Sequence, residues 1–236
     1  MDKCQSMFAI LVIGLGCLIA SPLWADEAIV KSPPPERFAK QIEAFARQDT
    51  ESFPENGVIV FVGSSSIRLW NLSKSFGNLN AINRGFGGSQ ISDVLHYADQ
   101  TVLKYKPKKV VFFCGGNDLN YGKSPEQVAG DFQIFTKRLF NLLPETELIV
   151  LAIKPSPSRW GIVDKVRAAN DRLRAAAKKD SRIVFLDGAF GLLLDEEGNA
   201  REELYAKDRL HLNDKGYKLW ADMLAPYLRL KKLGSQ

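Results

Sequence analysis

The sequence predicts an α/β protein: a three-layer α/β/α sandwich with a central, mostly parallel five-stranded sheet. Two observations carry that expectation. Short apolar runs recur at residues 58–62, 79–83, 109–114, 148–153 and 182–187, and runs apolar on both faces suit strands covered on both sides, as in a parallel sheet. Between the runs lie stretches whose apolar residues fall at helical spacing. Strand–helix alternation repeated about five times gives parallel strands joined by right-handed crossovers.

The elements follow in order. A proline-rich lead-in, KSPPPE, stiffens residues 26–35 ahead of a domain spanning 36–236. Phe38, Ile42 and Phe45 mark a first helix. After the first two strands, Ile91, Leu95, Ala98 and Val102 form one helical stripe, and Val128, Phe132, Phe135 and Leu139 form another after the third strand. Val166, Ala169, Leu173 and Ala176 form a third stripe, and Leu219, Met223 and Tyr227 end the chain. No internal repeat, low-complexity tract or second-domain boundary interrupts this series.

Composition narrows the class. With 236 residues, 45% hydrophobic and 25% charged, the chain is neither disordered nor membrane-filling and can build one sizeable core. Its net charge of +5 comes from scattered residues, Lys106, Lys108 and Lys109 being the densest group. That scatter describes a solvated surface rather than a nucleic-acid partner. At the N-terminus, Lys3 precedes an uncharged stretch from Met7 to Leu23 and then Ala25 at a small-residue cleavage position. Residues 1–25 therefore read as a signal peptide and the mature protein as exported, periplasmic or secreted. The alternatives are an uncleaved membrane anchor or a lipoprotein at Cys17, although Gly14 stands three residues before that cysteine where leucine is usual. Membrane contact is expected only through such an anchor. Of the three cysteines, only Cys114 remains after cleavage, so no intramolecular disulfide can form; a buried small hydrophobe suits its apolar run. No metal-ligand spacing appears, and no metal or cofactor is expected.

In parallel α/β folds the working site lies at the carboxyl ends of the strands. The first strand is followed by Gly63-Ser64-Ser65-Ser66, the second by NRGFGGSQ, the third by GGNDLN and the fourth by KPSPSRW. DRLHLNDKGY precedes the last helix. These segments hold a hydroxyl, amides and an Asp–His pair, the parts of a serine hydrolase. Of two histidines, His96 sits in an amphipathic helix and reads as structural; His211 sits in a polar loop three residues after Asp208. That spacing can place a carboxylate on the imidazole. Gly88 is either a tight-turn glycine or a backbone N–H exposed to an oxyanion, and Asn117 is either an Asx-turn residue or an amide donor. Two familiar motifs fail: the segment from Gly85 to Gln90 lacks the third glycine of a dinucleotide fingerprint, and Gly63 to Ile67 lacks the second glycine of a G-x-S-x-G elbow.

Taken in order, these blocks resemble the SGNH (GDSL-type) hydrolases, close to the lysophospholipase-like and platelet-activating-factor acetylhydrolase-like esterases. The match runs from Val58 to Tyr217, and GGND and D-x-x-H are its specific parts. The resemblance implies a flavodoxin-like sandwich and acyl-ester hydrolysis through an acyl-enzyme. Ser65 would be the nucleophile, His211 the base and Asp208 its orienting acid, with no cofactor. The backbone N–H groups of Ser65 and Gly88 and the Asn117 side chain would form the oxyanion hole. One departure stands out: the family's aspartate before the serine is Ser64 here. Ser66 falls at a helix start, and Arg159 and Trp160 after the fourth strand are candidates for lining the pocket. Expected substrates are small-molecule or lipid esters, with glycan O-acetyl esters as an alternative. A non-catalytic binding protein on the same fold is a further reading, motivated by Ser64.

Overall fold

The computed structural model describes residues 29–229; the expected signal peptide over 1–25, with Cys4 and Cys17, lies outside them. In chain order the elements are α1 (Ala39–Glu51), β1 (Ile59–Gly63), α2 (Ser65–Arg68), α3 (Leu72–Phe76), β2 (Ala81–Gly85), α4 (Ile91–His96) and α5 (Ala98–Thr101). Then come β3 (Lys109–Phe113), α6 (Gly116–Tyr121), α7 (Pro125–Leu142), β4 (Glu147–Leu151), α8 (Val163–Ala177), β5 (Ile183–Leu186), α9 (Gly188–Gly191) and α10 (Asp214–Leu228). The lead-in is docked rather than free. Val30 exchanges two hydrogen bonds with the Gln127 side chain on α7, both 3.3 Å, and the Ser32 hydroxyl meets that of Ser92 at 2.7 Å.

The five strands pair in the order β2-β1-β3-β4-β5, all parallel. Alternate side chains feed two cores. Val60, Val62, Val110, Phe112, Leu148 and Val150 face α1, α4, α7 and α8. Ile59, Phe61, Val111, Phe113, Ile149 and Leu151 face the other layer, where Trp70 and Trp220 pack. Each such fully buried side chain contributes about 1.5–3 kcal/mol. Because β1 has β2 on one side and β3 on the other, the chain reverses its direction of travel there, and a crevice opens between the ends of β1 and β3. Gly63 makes this end of the sheet tight: its φ is +140°, and a β-carbon there would lie 1.9 Å from the Phe113 carbonyl oxygen.

Three expectations shift. The second strand is Ala81–Gly85 rather than 79–83, because a charged side chain disguises it: Arg84 is buried, bonded to Asp49 at 2.5 Å and to the Tyr105 hydroxyl at 2.7 Å. The single stripe from Ile91 to Val102 is broken into α4, α5 and a 3-10 turn, with Tyr97 leaving helical geometry at ψ 16°. On α10 the buried line is Trp220, Leu224 and Leu228, one residue beyond the expected Leu219, Met223 and Tyr227. Both lines are apolar, and packing of Trp220 against Phe113 and Trp70 selects between them.

Candidate active site

Ser65 is the first residue of α2, directly beyond β1. The turn that presents it is fixed from two sides. The Ser64 N–H donates to the Phe113 carbonyl at 3.0 Å, and the Tyr217 hydroxyl of α10 donates to the Ser66 carbonyl at 2.9 Å. Ser66 lies in the first turn of α2, at the helix start as expected, and Ser64 is the N-cap residue; the Ser64 side chain is buried and makes no capping bond.

The loop before α10 brings its own residues to this serine. The Asp208 Oδ1 accepts the N–H groups of Leu210 and His211, both at 2.9 Å, which folds D-R-L-H into a tight turn. Arg209 takes the left-handed conformation at the bend, with φ +55°. Asn213 closes the segment: its Oδ1 accepts from Lys215 and Gly216 to cap α10, and its amide donates to the carbonyls of Glu203 and Tyr205. The result is a linear relay. His211 Nδ1 lies 2.6 Å from Asp208 Oδ2, and His211 Nε2 lies 2.8 Å from Ser65 Oγ. Desolvation pushes the Asp208 carboxyl up, but the His211 and Leu210 N–H groups and the imidazole outweigh it and bring the carboxyl down to about 2. Asp208 is therefore ionised across the working pH range and holds the Nδ1 proton, leaving Nε2 as the acceptor toward the hydroxyl.

Donors face the same serine. Gly88 has φ +86°, a backbone conformation favouring glycine, and sits on the groove over Ser65. Among the described residues the backbone N–H groups of Ser65 and Gly88 make no hydrogen bond. Asn117 is held at both ends of its amide: Nδ2 donates to the Ser89 carbonyl at 2.9 Å, and Oδ1 accepts from Arg159 Nη1 at 3.0 Å. One amide hydrogen remains unused. Arg159 lines the pocket and also orients Asn117; Trp160 is half-buried and lines neither hollow that touches Ser65. His96 is exposed on α4, edge-on to Tyr97, and is remote from the relay. Cys114 is buried, and burial pushes its thiol well up, which keeps it unreactive.

Lys154, to which the sequence alone gives no role, also reaches this site. Its Nζ donates to the Ser156 hydroxyl at 2.9 Å and to the carbonyl of Leu210, directly before His211, at 2.6 Å. The Ser158 N–H reaches the Arg209 carbonyl at 3.0 Å, so the KPSPSRW loop braces the histidine loop. The one signal for Lys154 is a lysine ending an otherwise apolar run, LIVLAIK.

Two hollows meet at Ser65. A small cavity of about 30 Å³ is walled by Ile153, Lys154, Val163 and Val166 beside Asn117. A wide groove of about 680 Å³ runs past Arg68, Gly87, Gly88, Arg159 and His211. The geometry can deprotonate a hydroxyl, hold an oxyanion and admit a small group on one side with a larger one on the other.

Comparison with known proteins identifies the family and the fold. The model of the GDSL-like lipase/acylhydrolase family matches residues 67–219, a span that includes Gly88, Asn117, Asp208 and His211 and begins just after Ser65. The platelet-activating factor acetylhydrolase IB subunit alpha2 of Gallus gallus is 27% identical over 194 residues, which cover 77% of this chain and 79% of that one. Among solved structures, a candidate platelet activating factor from Streptococcus pneumonia superposes with a TM-score of 0.72 at 23% identity, covering 81% of this chain and 92% of its own. A family 3 carbohydrate esterase from Clostridium thermocellum superposes with a TM-score of 0.58 at 19% identity, covering 74% and 98%. These two structures share the fold.

Proposed function

The chain belongs to the GDSL-like lipase/acylhydrolase family and is a carboxylic ester hydrolase; from that premise we propose that Ser65 is its nucleophile, His211 its base and Asp208 the acid that orients it. The observation that carries this reading is the imidazole bridging Asp208 at 2.6 Å and Ser65 at 2.8 Å. Ser65 Oγ attacks the ester carbonyl while His211 Nε2 takes its proton. The tetrahedral oxyanion accepts from the N–H groups of Ser65 and Gly88 and from the free Asn117 amide hydrogen. Collapse expels the alcohol, which receives the proton from His211, and leaves an acyl group on Ser65. Water, deprotonated by the same imidazole, then attacks the acyl carbonyl; the bond to Ser65 Oγ breaks, His211 returns the proton to Oγ, and the carboxylic acid leaves. Asp208 stays ionised and stabilises the imidazolium at each stage.

The acyl group occupies the small cavity. Its volume of about 30 Å³ leaves room for a small acyl group and none for a fatty-acyl chain. This favours short-chain esters, and among them O-acetyl esters of lipid or glycan alcohols, whose alcohol portion lies in the open groove. The apolar N-terminal stretch supports export of the enzyme; the N-terminal sequence of the matured protein, starting near residue 26, tests that. Fluorophosphonate labelling followed by peptide mapping tests the nucleophile: the adduct is expected on Ser65, and an adduct on Ser64 or Ser66 overturns the assignment. Acetate release from acetylated polysaccharide, set against fatty-acid release from lysophospholipid, tests the acyl preference.

A further inference from the structure

Most of the described arginines are held by acids. Arg84, Arg174 and Arg182 each pair with aspartate. Arg68 and Arg159 differ: neither forms an ion pair with any described residue, and both line the groove that passes over Ser65. No carboxylate lines that groove. Arg159 is half-buried and spends only Nη1, on the carbonyl of Gly116 at 3.1 Å and on Asn117 Oδ1, so its Nε and Nη2 remain available.

Arg68 is exposed and makes no side-chain hydrogen bond among the described residues. Its guanidinium lies over Gly87, where a β-carbon would come 2.7 Å from Nε and 3.3 Å from Cζ and Nη2. The missing side chain thus lets a planar cation lie beside Gly88, at the mouth of the proposed oxyanion hole. Two forked donors without acids, flanking one groove, match the geometry of a carboxylate or phosphate. Local positive potential there also concentrates anionic ligands. Arg159 stands between the two hollows and lines both, but the small cavity, at about 30 Å³, has no room for such a group beside an acyl group, so the anion belongs to the portion in the groove.

We propose that Arg68 and Arg159 form an anion subsite that binds a carboxylate or phosphate carried by the alcohol portion of the ester. The subsite rests on Ser65 being the nucleophile and on the acyl group entering the small cavity. It makes the preferred substrate an acetyl ester of an acidic alcohol, whether that acid is a carboxylate or a phosphate group.

Matched acetyl esters test it on the purified full chain. The kcat/KM values for 4-acetoxybenzoate, 4-acetoxyphenyl phosphate and neutral 4-acetoxybenzamide are compared, each divided by that ester's hydroxide-catalysed rate. An anionic ester should be favoured by about tenfold or more, the worth of a charge-assisted hydrogen bond. Which anion gains more identifies its class. In Arg68→Gln the anionic-to-neutral ratio should collapse toward one, and added salt should shrink it in the wild type. Equal corrected rates in the wild type, or an undiminished ratio in Arg68→Gln, overturn the subsite while leaving the esterase intact. No turnover of any ester, with no fluorophosphonate adduct on Ser65, overturns the serine-hydrolase reading and the subsite with it.

Discussion

Two lysines, Lys123 and Lys154, are nearly removed from water by different surroundings. Lys123 is 2% exposed and Lys154 is 7% exposed, yet their surroundings are opposite. Lys123 Nζ meets Asp118 at 2.9 Å and Asp131 at 2.6 Å. Burial works against its charge, but the two carboxylates outweigh burial and hold the ammonium above its ordinary range. Lys154 hydrogen-bonds a hydroxyl and a carbonyl and lies 5.9 Å from the centroids of the Phe113 and Tyr205 rings, with no acid among its described partners. Burial, reinforced by the charge of Arg159 and opposed by Asp208, pushes it down to about 7. A buried cation with its acids fastens a scaffold: Lys123 ties α6 to α7, and its partner Asp118 accepts the Ile91 N–H that starts α4. A buried cation without an acid is costly to the fold, and here it stands where the histidine loop must be held.

The largest effect expected from breaking this contrast is on stability. Lys123→Met strands Asp118, which is fully buried, and should cost about 3–5 kcal/mol in urea unfolding. Lys154→Met strands no carboxylate and should cost far less. If both substitutions cost the same, the contrast between the two lysines fails.

The motif GGND divides along the same line, since Asp118 faces the scaffold and its neighbour Asn117 faces Ser65. Asn117→Ala should lower kcat by about 10²–10³, roughly 3–4 kcal/mol of barrier, as for other single oxyanion donors. Its unfolding midpoint should stay at the wild-type value. A loss of activity under about fivefold would mean that Asn117 only closes a turn, and the amide hydrogen left unused in the structure would have no role.

What the sequence disclosed follows the same division. Local patterns were legible: the strands as apolar runs, and Ser65, Asp208 and His211 as short strings at strand ends and before a helix. A feature that depends on what lies opposite was not. Arg84 hid a strand because its acid, Asp49, comes from another element. Two apolar lines on α10 were equally legible, and only Trp70 and Phe113 across the core choose the Trp220 line. Lys154 and Arg68 escaped because being unpaired is a property of the tertiary surroundings; nothing adjacent in sequence marks a cation as lacking an acid.

The smallest effect is the most particular to Lys154. Unfolded, its ammonium titrates near the ordinary 10.5; folded, near 7. Between those values the unfolded chain binds more protons than the folded one, so the wild type gains stability as pH rises through that window. Below about 7 the lysine is charged in both states and the full burial penalty applies. Lys154→Met removes this linkage and adds no ionisable group, so the difference between the two stability–pH curves reports it. From pH 7 to pH 8 the wild type should gain about 1 kcal/mol relative to Lys154→Met in urea unfolding. A difference curve that stays flat over that unit would mean that the ammonium keeps its proton in the fold, and that the Leu210 carbonyl and Ser156 hydroxyl solvate it as well as an acid would.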